Sequence, residues 1–177
     1  MALLDALNYP SVGFHFIVRF EGIGMSQSIG PISVSTADID TRWTEVSGLV
    51  AELATEELIE GGENRFVHKL PQRAKYPNLV LKRGYFASLP SPLMTWANDA
   101  IANFDIKPCQ VQVFLLNDMH MPAQIWSFKN AYPVKISMGD FKATDNSFLV
   151  ESLELTYQFF KRESLLDKLT SAVGISL

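Results

Sequence analysis

Apolar and polar residues alternate with a period of two along most of the chain, and this pattern predicts β-strands. In the segment 12–21, four apolar side chains share one face: Phe14, Phe16, Val18 and Phe20. In the segment 149–159 the leucines share one face, with Glu151 as the exception. Shorter strands are predicted at 41–49, 52–59, 65–70, 79–83, 110–116, 124–130 and 134–138. Many short strands at regular spacing predict an antiparallel β-barrel or sandwich.

One segment has the periodicity of an amphipathic helix instead. Its apolar residues follow the i, i+3, i+4, i+7 spacing that places side chains on one helical face: Leu93, Trp96, Ala97, Ala100, Ile101 and Phe104. Ser91 is placed to cap the N-terminus, and Pro92 suits the first helical position. We therefore predict a mainly β (α+β) fold with one α-helix, at about 91–104, flanking the barrel or sandwich.

The segments between these elements predict turns and loops. Gly61-Gly62 predicts a hairpin turn, because glycine adopts positive φ freely. The segment 71–77 has a proline at each end and predicts an extended loop, while the Ser/Gly-rich segment 22–40 predicts a long surface loop. The last segment, 161–177, places leucines on one helical stripe and predicts a short amphipathic tail. The length favours a single domain.

The composition is that of a folded, mildly acidic protein. The 177 residues are 47% hydrophobic and 11% aromatic, with a formal net charge of -4, which predicts one packed core rather than disorder. A pI near 5.3 argues against nucleic acid as the main partner, because phosphate binding requires a basic surface. No segment reaches the ~20 apolar residues of a membrane helix. A secretory signal requires a basic residue near its start, and no basic residue precedes Arg19. We therefore expect a protein made in the cytoplasm that does not insert into membranes.

Residues that could carry catalysis are scattered along the chain. The three histidines, His15, His68 and His120, lack the short spacing of zinc ligands. The serine in 47–48 lacks the frame of a nucleophile elbow, and 22–24 begins a dinucleotide fingerprint whose third glycine is missing. The single cysteine, Cys109, opens an apolar strand, where we expect a small core residue. The sequence therefore predicts no catalytic residue, no cofactor and no metal site.

Two adjoining blocks of opposite charge are the most informative polar feature. Five acidic residues and no basic residue lie in 52–63, and five basic residues and no acidic residue lie in 69–83. The blocks can pair within the chain across a hairpin, or each can meet the opposite block of another copy. A head-to-tail contact of the second kind builds a ring or a filament. The charge pattern alone slightly favours the first interpretation, whereas the open edges of a many-stranded sheet favour pairing with a neighbour.

Several short motifs follow one another along the chain. They are EVSGL at 45–49, EGGEN at 60–64, HKLP at 68–71, YPNLVLKRG at 76–84, Trp96, NAYPVK at 130–135 and ESLELTY at 151–157. This series resembles the tail tube proteins of contractile phage tails and of related extracellular contractile injection systems. The resemblance runs over roughly 14–160. It implies one tail-tube domain, 1–177, with its core at about 12–160, a long loop at about 22–40 and a C-terminal extension at 161–177.

The resemblance implies a structural and non-enzymatic function. Subunits of this kind form hexameric rings, which stack inside a sheath, begin on baseplate or spike adaptor proteins, and pass DNA or effector proteins along the lumen. Assembly would take place in the bacterial cytoplasm, and the product would be part of a virion or an extracellular particle. The resemblance also favours the intersubunit interpretation of the charges. The candidate interface residues are Glu60, Gly61, Gly62, Glu63, Asn64, Arg73, Lys75, Tyr76, Lys82 and Arg83.

Three alternatives remain open. The long loop and the C-terminal extension also fit a specialised ring that initiates the tube at the baseplate. A monomeric ligand-binding β-barrel would line its interior pocket with the many phenylalanines, and a hydrolase on a β scaffold is the third alternative. Rings or stacked tubes of purified protein would separate the tube proteins from the other two classes.

Overall fold

The computed structural model describes residues 15–23, 42–62, 65–85, 91–117, 120–141 and 148–164. Phe14, Glu63, Asn64, most of the predicted loop at 22–40 and the tail beyond 164 lie outside the described residues. Nine strands and one helix lie within them. They are β1 (Phe16–Glu21), β2 (Glu45–Ser47), β3 (Glu52–Leu58), β4 (His68–Lys75), β5 (Leu79–Gly84), α1 (Pro92–Ala102), β6 (Cys109–Leu116), β7 (Pro122–Met138), β8 (Val150–Thr156) and β9 (Phe159–Ser164).

Seven strands form one sheet that folds over into two layers. Their order is β1-β6-β7-β8-β5-β2, with β9 also paired to β7, and all the pairs are antiparallel. Residues 124–129 of β7 pair with β6 and β9, whereas residues 132–138 pair with β8, so that β7 belongs to both layers. The predicted antiparallel β architecture with one helix is confirmed. The described strands do not close into a barrel, because β1 and β2 end the series without pairing with each other.

The two layers and α1 enclose one apolar core. On β1, Val18 and Phe20 point inward and Arg19 points outward, as the period of two predicts. Each fully buried Val, Leu or Phe side chain contributes roughly 1.5–3 kcal/mol of hydrophobic free energy. The core residues are Val18, Phe20, Trp43, Leu79, Leu81, Leu93, Trp96, Ala97, Cys109, Val111, Val113, Phe128, Ala131, Leu153, Leu155 and Tyr157.

The helix begins where its local signals predict. The Ser91 hydroxyl accepts a hydrogen bond from the Met94 backbone N–H at 3.2 Å, and Pro92 is the first helical residue. The helix ends two residues earlier than predicted, with Asn103 as its C-cap. Phe104 follows in the left-handed region at φ 56°, so it leaves the helical face on which the periodicity placed it.

Glu151, the polar exception on the inward face of β8, is buried together with a basic partner. The Arg83 side chain on the neighbouring β5 donates a hydrogen bond to its carboxylate. The same guanidinium donates to the Ser91 hydroxyl at 3.0 Å and lies 5.1 Å from the centre of the Trp43 ring. This ion pair therefore ties two strands to the N-terminus of α1.

Three predicted elements differ from the structure. The strands predicted at 124–130 and 134–138 are one strand, β7, which bends at Asn130 (φ 52°) and at a register shift between Pro133 and Lys135. The loop predicted at 71–77 is instead largely strand, since β4 continues to Lys75. A proline is tolerated on an edge strand, and both strands of this hairpin are edges. Residues 161–164 belong to β9 rather than to a helical tail.

Candidate subunit interface

The hairpin β3–β4 stands apart from the sandwich. It forms a two-stranded sheet that pairs with none of the other described strands. Residues 59–67 connect the strands, whereas the strands predicted at 52–59 and 65–70 leave residues 60–64 for the hairpin turn. Two strands alone are marginally stable in water, so this hairpin needs contacts that the described part of its own chain does not supply.

One face of the hairpin carries its exposed leucines. Residues directly opposite each other share a face of the sheet, and the register pairs Leu53 with Ala74 and Leu58 with His68. Leu70, two residues after His68, lies on the same side. Leu53, Leu58 and Leu70 are 61%, 48% and 47% exposed. The same side also carries Glu56, opposite Leu70, and the Gln72 amide, which donates to the Glu56 carboxylate at 2.8 Å. We call this side, with its three leucines and Ala74, the apolar face.

The opposite side, which we call the charged face, carries five charged residues: Glu52, Glu57, Lys69, Arg73 and Lys75. The register places Glu52 opposite Lys75 and Glu57 opposite Lys69, which is the arrangement that the intramolecular interpretation requires. No ion pair joins β3 to β4 in the part of the chain that the structure describes. Exposed pairs of this kind contribute about 1 kcal/mol or less, so these charges remain available to a partner.

The remaining candidate residues have different environments. Glu60 lies 3.7 Å from the His68 imidazole, and the neighbouring Gly62 adopts φ 96° with open space around it. Tyr76 is half-buried at the base of the hairpin, where its ring centre lies 6.0 Å from that of Tyr157. Tyr76 therefore anchors the hairpin to the core of its own chain.

Lys82 and Arg83 are adjacent in sequence but occupy opposite environments. The Lys82 ammonium is partly exposed and donates to the Glu45 carboxylate at 2.9 Å. Arg83 is buried and holds Glu151, so it can meet another subunit only if that internal pair breaks. In the sequence these two residues belong to one basic block, whereas in the structure only the Lys82 charge is exposed.

An apolar pocket of about 300 Å³ opens beside β2. We call it the β2 pocket. Its apolar lining comes from both layers: Phe16, Val46, Leu49, Val113, Leu115 and Trp126. The side chain of Glu45 lies at the same pocket, next to its partner Lys82. Strand pairing brings these residues together from distant parts of the chain, which explains why no local motif marks them.

The described residues contain no cluster of three or more side chains suited to a metal ion. His15 and His120, far apart in sequence, do stack with ring centres 5.3 Å apart, a contact that spacing along the chain could not indicate. Burial raises the pKa of the Cys109 thiol to about 12, as expected for a core residue. Within the described ranges, no helix is long and apolar enough to cross a membrane.

Residues 12–161 match the model of one protein family, the T4-like virus tail tube protein gp19. The chain belongs to this family. No protein with a curated description matches its sequence. The family match covers the sandwich, the hairpin and α1 together, and it confirms the resemblance inferred from the motifs.

Three solved structures have a similar fold. A chain in the baseplate of the anti-feeding prophage is 28% identical, covering 89% of this chain and 98% of its own, with a TM-score of 0.74. A chain in the sheath–tube complex of an extracellular contractile injection system is 23% identical, covering 93% and 99%, with a TM-score of 0.72. A type six secretion system protein is 12% identical, covering 85% and 83%, with a TM-score of 0.53. The last two similarities establish the fold.

Proposed function

We propose that this protein is the structural subunit of the inner tube of a contractile injection particle. Copies form hexameric rings, and the rings stack into a conduit inside a sheath. Membership of the tail tube family supports this proposal, as does the similarity to a chain of a contractile particle's baseplate. The observation that carries it is the exposed apolar face of the hairpin β3–β4.

The apolar face needs a partner for a physical reason. Three exposed leucines on one side of this two-stranded sheet, Leu58 and Leu70 near each other and Leu53 further along, expose apolar area that water solvates unfavourably. Clustered exposed apolar residues mark interaction surfaces. When a different surface of the next copy covers the hairpin, the contact is head to tail and propagates into a ring or a filament.

Open strand edges offer a second means of joining copies. Strands β1 and β2 end the folded sheet, and residues 132–138 of β7 pair with β8 alone among the described strands. Unpaired edge groups must be covered, blunted or paired with another chain. Addition of a neighbour's strand at one of these edges would satisfy the edge and close a ring of subunits.

The other elements of the proposal follow from the family. We propose one tail-tube domain with its core at about 12–160, no catalytic function, assembly in the bacterial cytoplasm, and partners that comprise the sheath protein, baseplate or spike adaptors, and DNA or effector cargo in the lumen. A tube-initiating ring at the baseplate is the second candidate, because one chain of similar structure comes from a baseplate.

Electron microscopy of purified protein tests the proposal. We expect rings or stacked tubes from the wild-type protein, and Leu53→Lys should abolish them because it places a charge at the most exposed leucine of the apolar face. Leu53 lies opposite Ala74, so the free energy of unfolding of the monomer should change by about 0.5 kcal/mol or less.

Thr55→Lys is the matched control, because it adds the same charge to the other face of the same hairpin. It should assemble at a concentration close to that of the wild-type protein. Wild-type protein that stays monomeric at high concentration, even with sheath and baseplate proteins present, would contradict the proposed function.

A further inference from the structure

Phe104 has a backbone conformation that its side chain does not favour. It follows α1 at φ 56°, in the left-handed region where glycine is preferred and a bulky residue is an outlier. The turn around it is fixed, since the backbone N–H groups of Asn103 and Asp105 both donate to the Asp99 carbonyl, at 3.0 and 3.2 Å. The conformation is therefore built into the end of the helix.

Packing of the Phe104 ring within its own chain is too slight to offset this backbone strain. Phe104 is 83% exposed, and Ile101 and Ile106 beside it are exposed as well. A glycine at this position would fit the backbone better and would expose less apolar surface. A strained residue that gains nothing in the isolated subunit points to a contact made outside it.

The β2 pocket is a complementary feature on the same molecule. It is apolar, and its volume of about 300 Å³ lies at the lower end of the range that holds small apolar groups. Its rim carries Thr44 and Glu45 beside the open edge of β2. A single aromatic ring is the kind of group that such a pocket accepts.

The ring and the pocket lie at opposite ends of the same layer. The Trp96 indole N–H donates to the Lys107 carbonyl at 2.9 Å. This hydrogen bond fixes the segment between α1 and β6 close to Cys109, where β6 begins. The pocket lies toward the other end of β6, at Val113 and Leu115. At about 3.4 Å per residue, Cys109 lies roughly 14 Å along β6 from Val113 and roughly 20 Å from Leu115. Phe104 is exposed and is not among the residues that line the pocket of its own chain, so this pocket is open to the ring of another copy.

The charges around the two features are complementary. Near Phe104 lie the carboxylates of Asp99 and Asp105 and the ammonium of Lys107, which is bound to Asp105. Near the pocket lie Lys82, bound to Glu45, and Arg162, whose guanidinium lies 6.0 Å from the centre of the ring of the lining residue Trp126. One side thus has an excess of negative charge and the other an excess of positive charge, and this complementarity orients an encounter between copies.

We propose that Phe104 of one copy inserts into the β2 pocket of the next copy, and that this contact joins subunits head to tail in the assembly. The inference rests on the proposed function and identifies one of its contacts. Because the two surfaces differ, each copy offers one Phe104 side chain and one pocket. The contact therefore repeats without limit, or until the subunits close into a circular assembly.

Cysteine cross-linking tests the contact directly. We would mix Phe104→Cys protein with Leu49→Cys protein at a concentration more than tenfold above the one at which the wild-type protein assembles, because Phe104→Cys removes the ring, and then oxidise the mixture or treat it with a short bismaleimide. A covalent dimer is expected. No cross-linked species of higher mass should form, because each copy carries only one new thiol. The double variant Phe104→Cys/Leu49→Cys should instead give a ladder of oligomers. The native Cys109 contributes little background because it is buried, with its pKa raised to about 12.

Phe148→Cys mixed with Leu49→Cys is the matched control, since Phe148 is also highly exposed but has an ordinary backbone. It should give no dimer. A second variant, Phe104→Gly, relieves the strain, so the monomer should stay folded while the concentration needed for assembly rises at least tenfold.

Normal assemblies without the Phe104–Leu49 cross-link would overturn this contact and leave the proposed function intact. So would cross-linking of Leu49→Cys to Ile59→Cys on the hairpin instead, or assembly of Phe104→Gly at the wild-type concentration. Wild-type protein that never assembles would overturn both the proposed function and the contact.

Discussion

At the scale of single residues, the buried pair Arg83–Glu151 is the polar centre of the fold. Two charges leave water in this pair, and only their mutual attraction and hydrogen bonds offset the cost. The guanidinium also contacts Ser91 and Trp43, so three elements depend on its position. The sequence shows Glu151 only as a break in an apolar alternation, because the partner that explains it lies on another strand.

Removal of the carboxylate should therefore be costly. We expect Glu151→Ala to lower the free energy of unfolding by about 3–5 kcal/mol, measured by urea denaturation. Glu154→Ala is the control on the same strand, because Glu154 pairs with Lys135 at the surface at 2.8 Å and should cost about 1 kcal/mol or less. Equal losses in the two variants would contradict a structural role for the buried pair.

Gly48 gives a second prediction at this scale. It adopts φ 90°, and a Cβ atom there would lie 2.1 Å from the Asn78 carbonyl oxygen. Gly62 has a similar φ of 96° with nothing within 4 Å. Both alanine variants incur the left-handed penalty of about 1–2 kcal/mol, but only Gly48→Ala adds a backbone clash. We expect a clearly larger drop in melting temperature for Gly48→Ala, and equal drops would argue against the close approach.

At the scale of elements, the sequence predicts what local signals determine. Ser91 and Pro92 mark the start of α1 because an N-cap and a first-turn proline act within one helical turn. The end of β4 and the continuity of β7 depend instead on pairing with distant strands. Pro71 and Pro133 look like strand breakers locally, yet Pro71 pairs with Thr55 and Pro133 with Leu155.

The short edge strand β2 provides a prediction for Lys82. The Lys82 carbonyl accepts from the Thr44 backbone N–H at 2.8 Å, and its ammonium binds Glu45. Lys82→Glu places like charges directly opposite each other across this strand pair. We expect faster amide hydrogen exchange in β2, while the free energy of unfolding falls by about 1 kcal/mol or less, because the ion pair is exposed.

Lys135→Glu is the control for Lys82→Glu. It creates a similar like-charge contact with Glu154 on paired strands away from β2, and it should leave exchange in β2 unchanged. Arg83→Glu should differ from both, because it places two carboxylates in the core and should unfold the monomer. Protection of β2 that survives Lys82→Glu would show that the ion pair does not hold this edge.

At the scale of the whole molecule, the surfaces that matter for assembly are products of the fold. The apolar face of the hairpin, the β2 pocket and the exposed Phe104 each combine residues whose exposure is decided by strand pairing. The charge blocks were visible in the sequence because they are contiguous. Their partner, within the chain or on another copy, depends on geometry that spacing along the chain does not contain.

A charge exchange on the hairpin decides between these partners. The variant Glu52→Lys/Glu57→Lys/Lys69→Glu/Lys75→Glu keeps each cross-strand pair opposite in sign, so it should fold and assemble with itself whichever interpretation holds. If each block meets the opposite block of another copy, mixed contacts with wild-type protein bring like charges together. We expect the variant and wild-type proteins to sort into separate assemblies, measured by energy transfer between labelled copies.

The separation should weaken at about 1 M salt, where the Debye length falls to about 3 Å. Free mixing at low salt would show that the charges pair only within each chain.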